Sequence, residues 1–383
     1  MTSAKTRQLE DDPKLFELMM EELKNSPQVY QPTNYWSKYI NETIRLIREE
    51  GLKDFRRQKW GYFRSFGASD FASTSEYQRT LLRRANVSEA DKKLILDYLE
   101  FTAKHRDLPV LPFNMAWQEI DQLAARSADL TGRVSGALPI TQIEPDPVGN
   151  PLHDFAYEGK TYTHYFLGYY MRYAAANRVI DFNKVDNIVE LGSGAGNQVE
   201  ILKKYYPHLT FYLVDLAPYL YLCHQFLRAV FPDNHVSYRE TAEQQTVTAD
   251  RKGDILFLGS GRLNTLRPKG VTLFWNSASF GEMEPEVVES YISEIKTWAD
   301  GVYLYQAMTG KELGSEGKGG VLKKTTFEHY SAFLGKDYSL ADRSPAWVPL
   351  YGERTSGGYD DAIWVNSDAS GGVAMLRKNP IPN

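Results

Sequence analysis

Cysteine is almost missing from this chain: Cys223 stands alone among 383 residues, so neither an intrachain disulfide nor a cysteine-based zinc site can form. A positive surplus is missing too. Lys plus Arg number 44 against 49 Asp plus Glu, a formal net charge of -5, which leaves no global field to attract nucleic acid or an anionic membrane. No stretch approaches the ~18 apolar residues of a spanning helix, and the first dozen residues hold no apolar run; a cytoplasmic, soluble protein is expected. No internal repeat is present, and no His/Asp/Glu cluster has metal spacing. Glu144 and Asp146 flank Pro145 as ordinary turn residues, so no metal is assigned. What the chain has in quantity is aromatic surface, with 25 Tyr, 18 Phe and 7 Trp. Such side chains suit sugars and aromatic ligands as well as a packed core.

The length is two to three domains' worth of chain. Residues 1–150 show helical spacing: Tyr39, Ile40, Ile44, Leu46 and Ile47 mark a helix over Trp36 to Glu50, closed by Gly51. Ser88 with its acidic first turn opens another, and Met115 to Arg126 forms a third. The Pro- and Gly-rich run Glu144 to Pro151 is a connector, and the domain boundary is placed there: a helical region at 1–150 and a second domain at 151–383. After one more helix, Tyr162 to Asn177, strand and helix patterns alternate, the mark of a parallel sheet with crossover helices. Strands are expected at Asn187–Leu191, Thr210–Asp215, a weaker Val236–Arg239, Ile255–Leu258, Val271–Trp275 and Val302–Tyr305. Gly310 to Gly320, with five glycines and two lysines, reads as a mobile loop. The segments 346–351, 362–365 and 372–376 are expected to supply a last helix and an antiparallel strand pair.

The strongest chemical signal is Glu190-Leu-Gly192-Ser193-Gly194-Ala-Gly196-Asn197, between the first strand and its helix. Glycines allow a tight turn and close backbone approach, and the helix N-terminus behind them favours anionic groups. A dinucleotide fingerprint would need a glycine at 197. Glu190 would moreover repel a pyrophosphate while suiting an ammonium. Asp215, at the end of the next strand, can accept both hydroxyls of a ribose.

This arrangement resembles the class I S-adenosylmethionine-dependent methyltransferases. The resemblance implies an α/β, doubly wound, Rossmann-like seven-stranded sheet with an antiparallel last strand, and S-adenosylmethionine as cofactor. A narrower similarity, to the sugar O-methyltransferase family, rests on Asp215-Leu216-Ala-Pro-Tyr, on Asn276-Ser277-Ala-Ser279-Phe-Gly-Glu282-Met283, and on Tyr30 to Trp36 and Val148 to Pro151 upstream. It implies methyl transfer to a hydroxyl of a sugar, glycoside or secondary metabolite. Expected cofactor contacts are Glu190, Gly192, Ser193, Gly194, Gly196 and Asn197, followed by Asp215, Leu216, Asn276 and Ser277. Substrate contacts are assigned to Tyr35, Trp36, Ser279 and Met283. A small-molecule acceptor is the expected partner, and a homodimer is compatible with the family. Nitrogen or carboxyl methylation, or a fold recruited as a cyclase or binding scaffold, are the competing readings.

An alcohol acceptor needs a base, which adds ~10²–10⁴ in rate. Glu282 is the first candidate, the one acceptor of useful pKa in its stretch, with capping of the helix near Pro285 as its structural alternative. His164 is the second. His224 and Cys223 read as packing residues. Tyr62 and Phe63, with Arg56, Arg57 and Arg64, are candidates for a lid beside Tyr35 and Trp36.

Overall fold

The computed structural model describes residues 9–57, 89, 93, 114–151, 154–346 and 359–378. In chain order the described helices of the N-terminal part are α1 (Pro13–Asn25), α2 (Asn34–Glu50) and α3 (Asn114–Val134). A hairpin of β1 (Phe155–Tyr157) and β2 (Lys160–Tyr162) leads into α4 (His164–Asn177). Then follow β3 (Asn187–Leu191), α5 (Asn197–Tyr205), β4 (Thr210–Asp215), α6 (Ala217–Val230), α7 (Tyr238–Ala242) and β5 (Ile255–Gly259). The chain continues through β6 (Thr272–Ser277), α8 (Pro285–Ile295), β7 (Gly301–Gln306) and α9 (Phe327–Leu334) to β8 (Tyr338–Pro345), β9 (Asp360–Asn366) and α10 (Ser370–Ala374).

Seven strands form one sheet in the order β5-β4-β3-β6-β7-β9-β8. The first five are parallel and β9 runs antiparallel to both neighbours. This is the doubly wound α/β arrangement expected from the sequence. The central strands are apolar at nearly every position because helices cover both faces. Ile188, Phe211, Leu213 and Trp275 face one cluster; Val189, Leu191, Val214 and Phe274 face the other. The first cluster extends without a break into Leu15, Phe16 and Met19 of α1 and Ala124 and Ala128 of α3. The N-terminal helices are therefore packed onto the sheet's helical layer: α1 and α2 lie on α6, and α3 lies on α4.

Several expectations change. Val236–Arg239 is not a strand. His235 makes a single bridge to Ile255, and Ser237 opens α7 through a reciprocal capping box with Glu240, a local pairing that outcompetes the β-formers around it. The partner of β9 is Tyr338–Pro345, a polar edge strand whose exposed face hid it from a pattern search. The glycine-rich 310–320 loop is tied down: the Asn34 amide donates to the carbonyls of Ser315 and Gly320, and its oxygen accepts from the Gly317 N–H. The helix expected from Met115 to Arg126 runs on to Val134. The one expected after Ser88 lies outside the described residues except for Glu89 and Lys93, both helical. No described helix is long and apolar enough to cross a membrane.

Candidate functional site

The site forms where the strand order turns back. From β3 the chain steps to β4 on one side and returns to β6 on the other, and a crevice opens at such a switch point beyond the carboxyl ends. Glu190 of β3 and Asp215 of β4 both face it from the same side of the sheet. Gly192 (φ 79°), Gly194 (φ 54°) and Gly196 (φ 81°) carry the loop over from β3 to α5. A side chain at 192 would collide with Ser279, whose Oγ lies 2.4 Å from where a Cβ would stand. One at 196 would meet Leu227 at 2.8 Å. Glycine is thus required twice, for conformation and for space.

Asp215 accepts through one oxygen from the Gly194 N–H (2.8 Å) and through the other from the Leu216 N–H (2.7 Å). Burial raises its pKa to about 7, with those two hydrogen bonds pulling it back and the charge of Glu282 adding to the rise. Glu190 is buried, and desolvation pushes its pKa well up against the opposing pull of Arg172. Two adjacent carboxylates with raised pKa values in one crevice are stabilised by a cation and hydroxyl donors. Around the start of α5 the polar atoms Ser193 Oγ, Asn197 Nδ2 and both amide atoms of Gln198 are buried without a hydrogen-bond partner among the described residues. These unpartnered groups, next to the glycine loop, fit a polar ligand such as the methionine part of S-adenosylmethionine. Asn197 Oδ1 meanwhile accepts from the buried Arg56 (3.3 Å), whose other arm donates to the Asp146 carbonyl.

The loop after β6 is locked from within. Asn276 is fully buried; its Nδ2 donates to Leu191 O (2.8 Å) and Ser279 Oγ (2.6 Å), and its Oδ1 accepts from Phe280 N and Gln306 Nε2. Gln306 Oε1 in turn accepts the Gly281 N–H. Asn276 and Ser279 therefore join the ends of β3 and β6, and their polar atoms are occupied inside the protein. Ala278 takes φ 72° to make the turn, a conformation that alanine adopts only when its surroundings impose it. Ser277 lies on the same side as Glu190, accepting the Trp275 indole N–H. Met283 packs toward the opposite face of the sheet, and its carbonyl accepts from Thr325.

Glu282 does not cap the next helix. Glu284 occupies the N-cap of α8 with no side-chain cap bond, and Glu282 Oε1 accepts from Lys311 Nζ at 2.6 Å in a nearly buried ion pair. Lys311 lies 5.0 Å from the Tyr35 ring centre, and Trp36 packs on Tyr219 at 4.7 Å. The start of α2 is fastened here by Thr33, whose hydroxyl donates to the Glu282 carbonyl. Tyr35, Trp36 and Glu282 thus share one wall, close enough to Asp215 for the two carboxylates to sense each other. His164 stands elsewhere. It begins α4, buried, with Nε2 2.5 Å from Asp121 of α3 and its ring against Phe155.

His224 and Cys223 are buried on α6, as packing residues would be. Of the proposed lid, Tyr62, Phe63, Arg64 and the Arg57 side chain lie outside the described residues. Lys311, Gln306 and Arg172 escaped the sequence reading. Arg172 left a signal: it is the only Lys, Arg, Asp or Glu in the helix His164–Asn177.

No family model matches this chain, and no curated protein matches it. Solved structures do. The mitomycin 7-O-methyltransferase MmcR aligns at 14% identity and TM-score 0.34, over 51% of this chain and 52% of that one. The magnesium protoporphyrin IX methyltransferase ChlM from Synechocystis PCC 6803, with bound SAH, gives 15% and 0.34, over 51% and 78%. The O-methyltransferase NcsB1 from neocarzinostatin biosynthesis, in complex with S-adenosyl-L-homocysteine, gives 14% and 0.32, over 51% and 57%. The match spans about half the length of the first of these proteins. Identities and scores of this size leave the fold to be read from the strand order itself.

Proposed function

We propose that this protein is an S-adenosylmethionine-dependent O-methyltransferase acting on a hydroxyl of a sugar, glycoside or secondary metabolite. The observation that carries the reading is the pair Glu190 and Asp215 on adjacent strand ends, bridged by a glycine loop that donates to Asp215. Bound there, the cofactor supplies an electrophilic methyl on a sulfonium. Glu190 offers a carboxylate to its ammonium, and Asp215 accepts from ribose hydroxyls. Gly192, Ser193, Gly194, Gly196 and Asn197 form the floor and the start of α5, Leu216 contributes its backbone, and Ser277 lines the crevice. Asn276 and Ser279 act by holding that floor in shape.

On the acceptor side, Tyr35 and Trp36 cover the crevice from the 1–150 region, and Glu282 would take the proton of the acceptor hydroxyl. Lys311 positions Glu282 for this. In this reading a small-molecule acceptor is held under a helical cover over the 151–383 region. Positioning acceptor oxygen and methyl about 3 Å apart supplies most of the rate, and the base adds its share.

The test is a product screen. The full chain is incubated with methyl-labelled S-adenosylmethionine and a panel of glycosides, phenols, amines and carboxylic acids, and S-adenosylhomocysteine formation is followed with the methylated product. Transfer to oxygen of a hydroxyl acceptor is expected. Label on nitrogen or carboxylate alone would replace the O-transfer reading, and cofactor binding without turnover on any class would favour a scaffold.

A further inference from the structure

Arg172 presents a half-buried guanidinium that the proposed chemistry does not use. It projects from α4 between two rings, 4.5 Å from the centre of Tyr169 and 4.3 Å from that of Tyr305. Tyr305 is itself stacked on Tyr359 at 4.6 Å. No carboxylate oxygen comes within 4.0 Å of Arg172 among the described residues, although Glu190 and Asp361 lie close enough to sense its charge. Among the described residues several other shielded cations have found an anion: Arg178 pairs with Asp342, Lys204 with Glu200 and Lys311 with Glu282.

The position of this cation separates it from the cofactor cradle. Tyr305, next to last in β7, pairs with Ser277 of β6, whereas Glu190 pairs with Trp275, two residues lower on β6. With strands about 4.8 Å apart, the Arg172 wall stands roughly 10 Å along the sheet from Glu190, two strands over. Under the proposed function the methionine end of the cofactor sits at Glu190, so the Arg172 wall falls on the acceptor's side of it. A planar guanidinium steadied by aromatic faces offers its fork to carboxylate or phosphate oxygens.

We propose that the acceptor carries an anionic oxygen group, carboxylate or phosphate, held by Arg172 between Tyr169 and Tyr305. This rests on the methyltransferase reading and narrows its substrate class to acidic small molecules: sugar acids, sugar phosphates or hydroxylated ring acids. The tyrosine rings contribute the flat wall along which the neutral body of such a molecule lies.

Calorimetric titration of the full chain saturated with S-adenosylhomocysteine tests it. The probes are D-glucuronate and D-glucose 6-phosphate against methyl D-glucoside, and 4-hydroxybenzoate against its methyl ester. At least one acid should bind about ten-fold or more tightly than its neutral counterpart, as charge-assisted bonds to a shielded cation allow, and glucuronate against phosphate tells which anion is preferred. Arg172→Gln should erase the preference while S-adenosylhomocysteine affinity stays within about two-fold, and Arg172→Lys, which keeps the charge without the fork, should retain part of it. If every acid binds no better than its neutral partner, or none binds, the proposal is wrong. It is equally overturned if Arg172→Gln keeps the preference, or if the variant loses affinity for the cofactor product, which would place Arg172 on the cofactor. Should Arg172→Gln not fold, Arg172→Lys decides instead: a reduced preference supports the site, and a full one overturns it. If the wild type fails to bind S-adenosylhomocysteine, the transferase reading falls, and the acid-against-neutral comparison on the cofactor-free chain still decides the Arg172 site.

Discussion

The two halves of the crevice are built on opposite principles. At the β3–β4 half, Glu190 is buried and Asp215 half-buried among backbone amides and glycines, no cation touches either among the described residues, and their pKa values rise. At the β6–β7 half, side chains from distant segments carry charge of both signs: Glu282 pairs with Lys311, and Arg172 lies between tyrosines. The first half is a cradle whose charge a ligand must complete. The second is a wall already organised by the protein, with a cation held between rings rather than against a carboxylate. A cofactor that is always the same suits the first design, and a particular acceptor suits the second.

The sharpest way to break this division is Glu282→Gln. It keeps size and hydrogen bonding but removes the proposed base and leaves Lys311 with an amide, and kcat should fall ~10²-fold or more. Steady-state kinetics beside a cofactor titration checks it; S-adenosylmethionine affinity should change little, because that half of the crevice is built separately. Equal losses in both would erase the distinction.

Gly192→Ala attacks the seam between the halves. Positive φ costs a non-glycine residue ~1–2 kcal/mol, and the added methyl strikes Ser279. A fall in Tm of several degrees together with weakened cofactor binding is expected by scanning calorimetry and titration. An unchanged Tm would mean that the floor is not held as described.

The pH dependence separates the halves more gently. Asp215 has its pKa raised to about 7 by burial, and in the proposed role its ionised form accepts from the ribose hydroxyls. Cofactor affinity should therefore be full above pH 8 and decline below pH 7, by up to about ten-fold per pH unit. Binding near pH 7 should release protons, since the bound form holds Asp215 ionised; calorimetry in buffers of different ionisation enthalpy measures that release. Proton uptake, or affinity constant from pH 6 to 8, would contradict the assignment. The smallest effect is expected at His164→Gln: loss of the Asp121 partner should lower Tm slightly and leave kcat within about three-fold. If kcat collapses there and survives Glu282→Gln, His164 is the base.

The contrast also explains what could be read from the sequence. The cradle is local: Glu190 to Asn197 is one turn of chain, and Asp215 ends the next strand, so spacing alone located it. Six of the seven strands drew on buried apolar runs and were legible for the same reason, whereas β8, polar and at the edge, was not. The Ser237–Glu240 capping box sits among the β-formers Val236 and Tyr238, whose pattern is that of a strand. The wall is non-local. Lys311 lies 29 residues from Glu282 inside a glycine-rich loop, and Arg172 of α4 meets Tyr305 of β7 only in the folded chain. Tyr35 and Trp36 could be suspected from their aromatic run, but only packing shows that they share a wall with Glu282.

The most direct measurement is an isothermal titration of S-adenosylmethionine into the full chain and into Asp215→Ala at pH 8. Paired charge-assisted hydrogen bonds are worth ~1.5–3 kcal/mol each. The wild type should bind one equivalent, and the folded variant should bind at least about 30-fold more weakly, roughly 2 kcal/mol. No binding by the wild type, or equal binding by a folded Asp215→Ala, would contradict the cradle at the ends of β3 and β4.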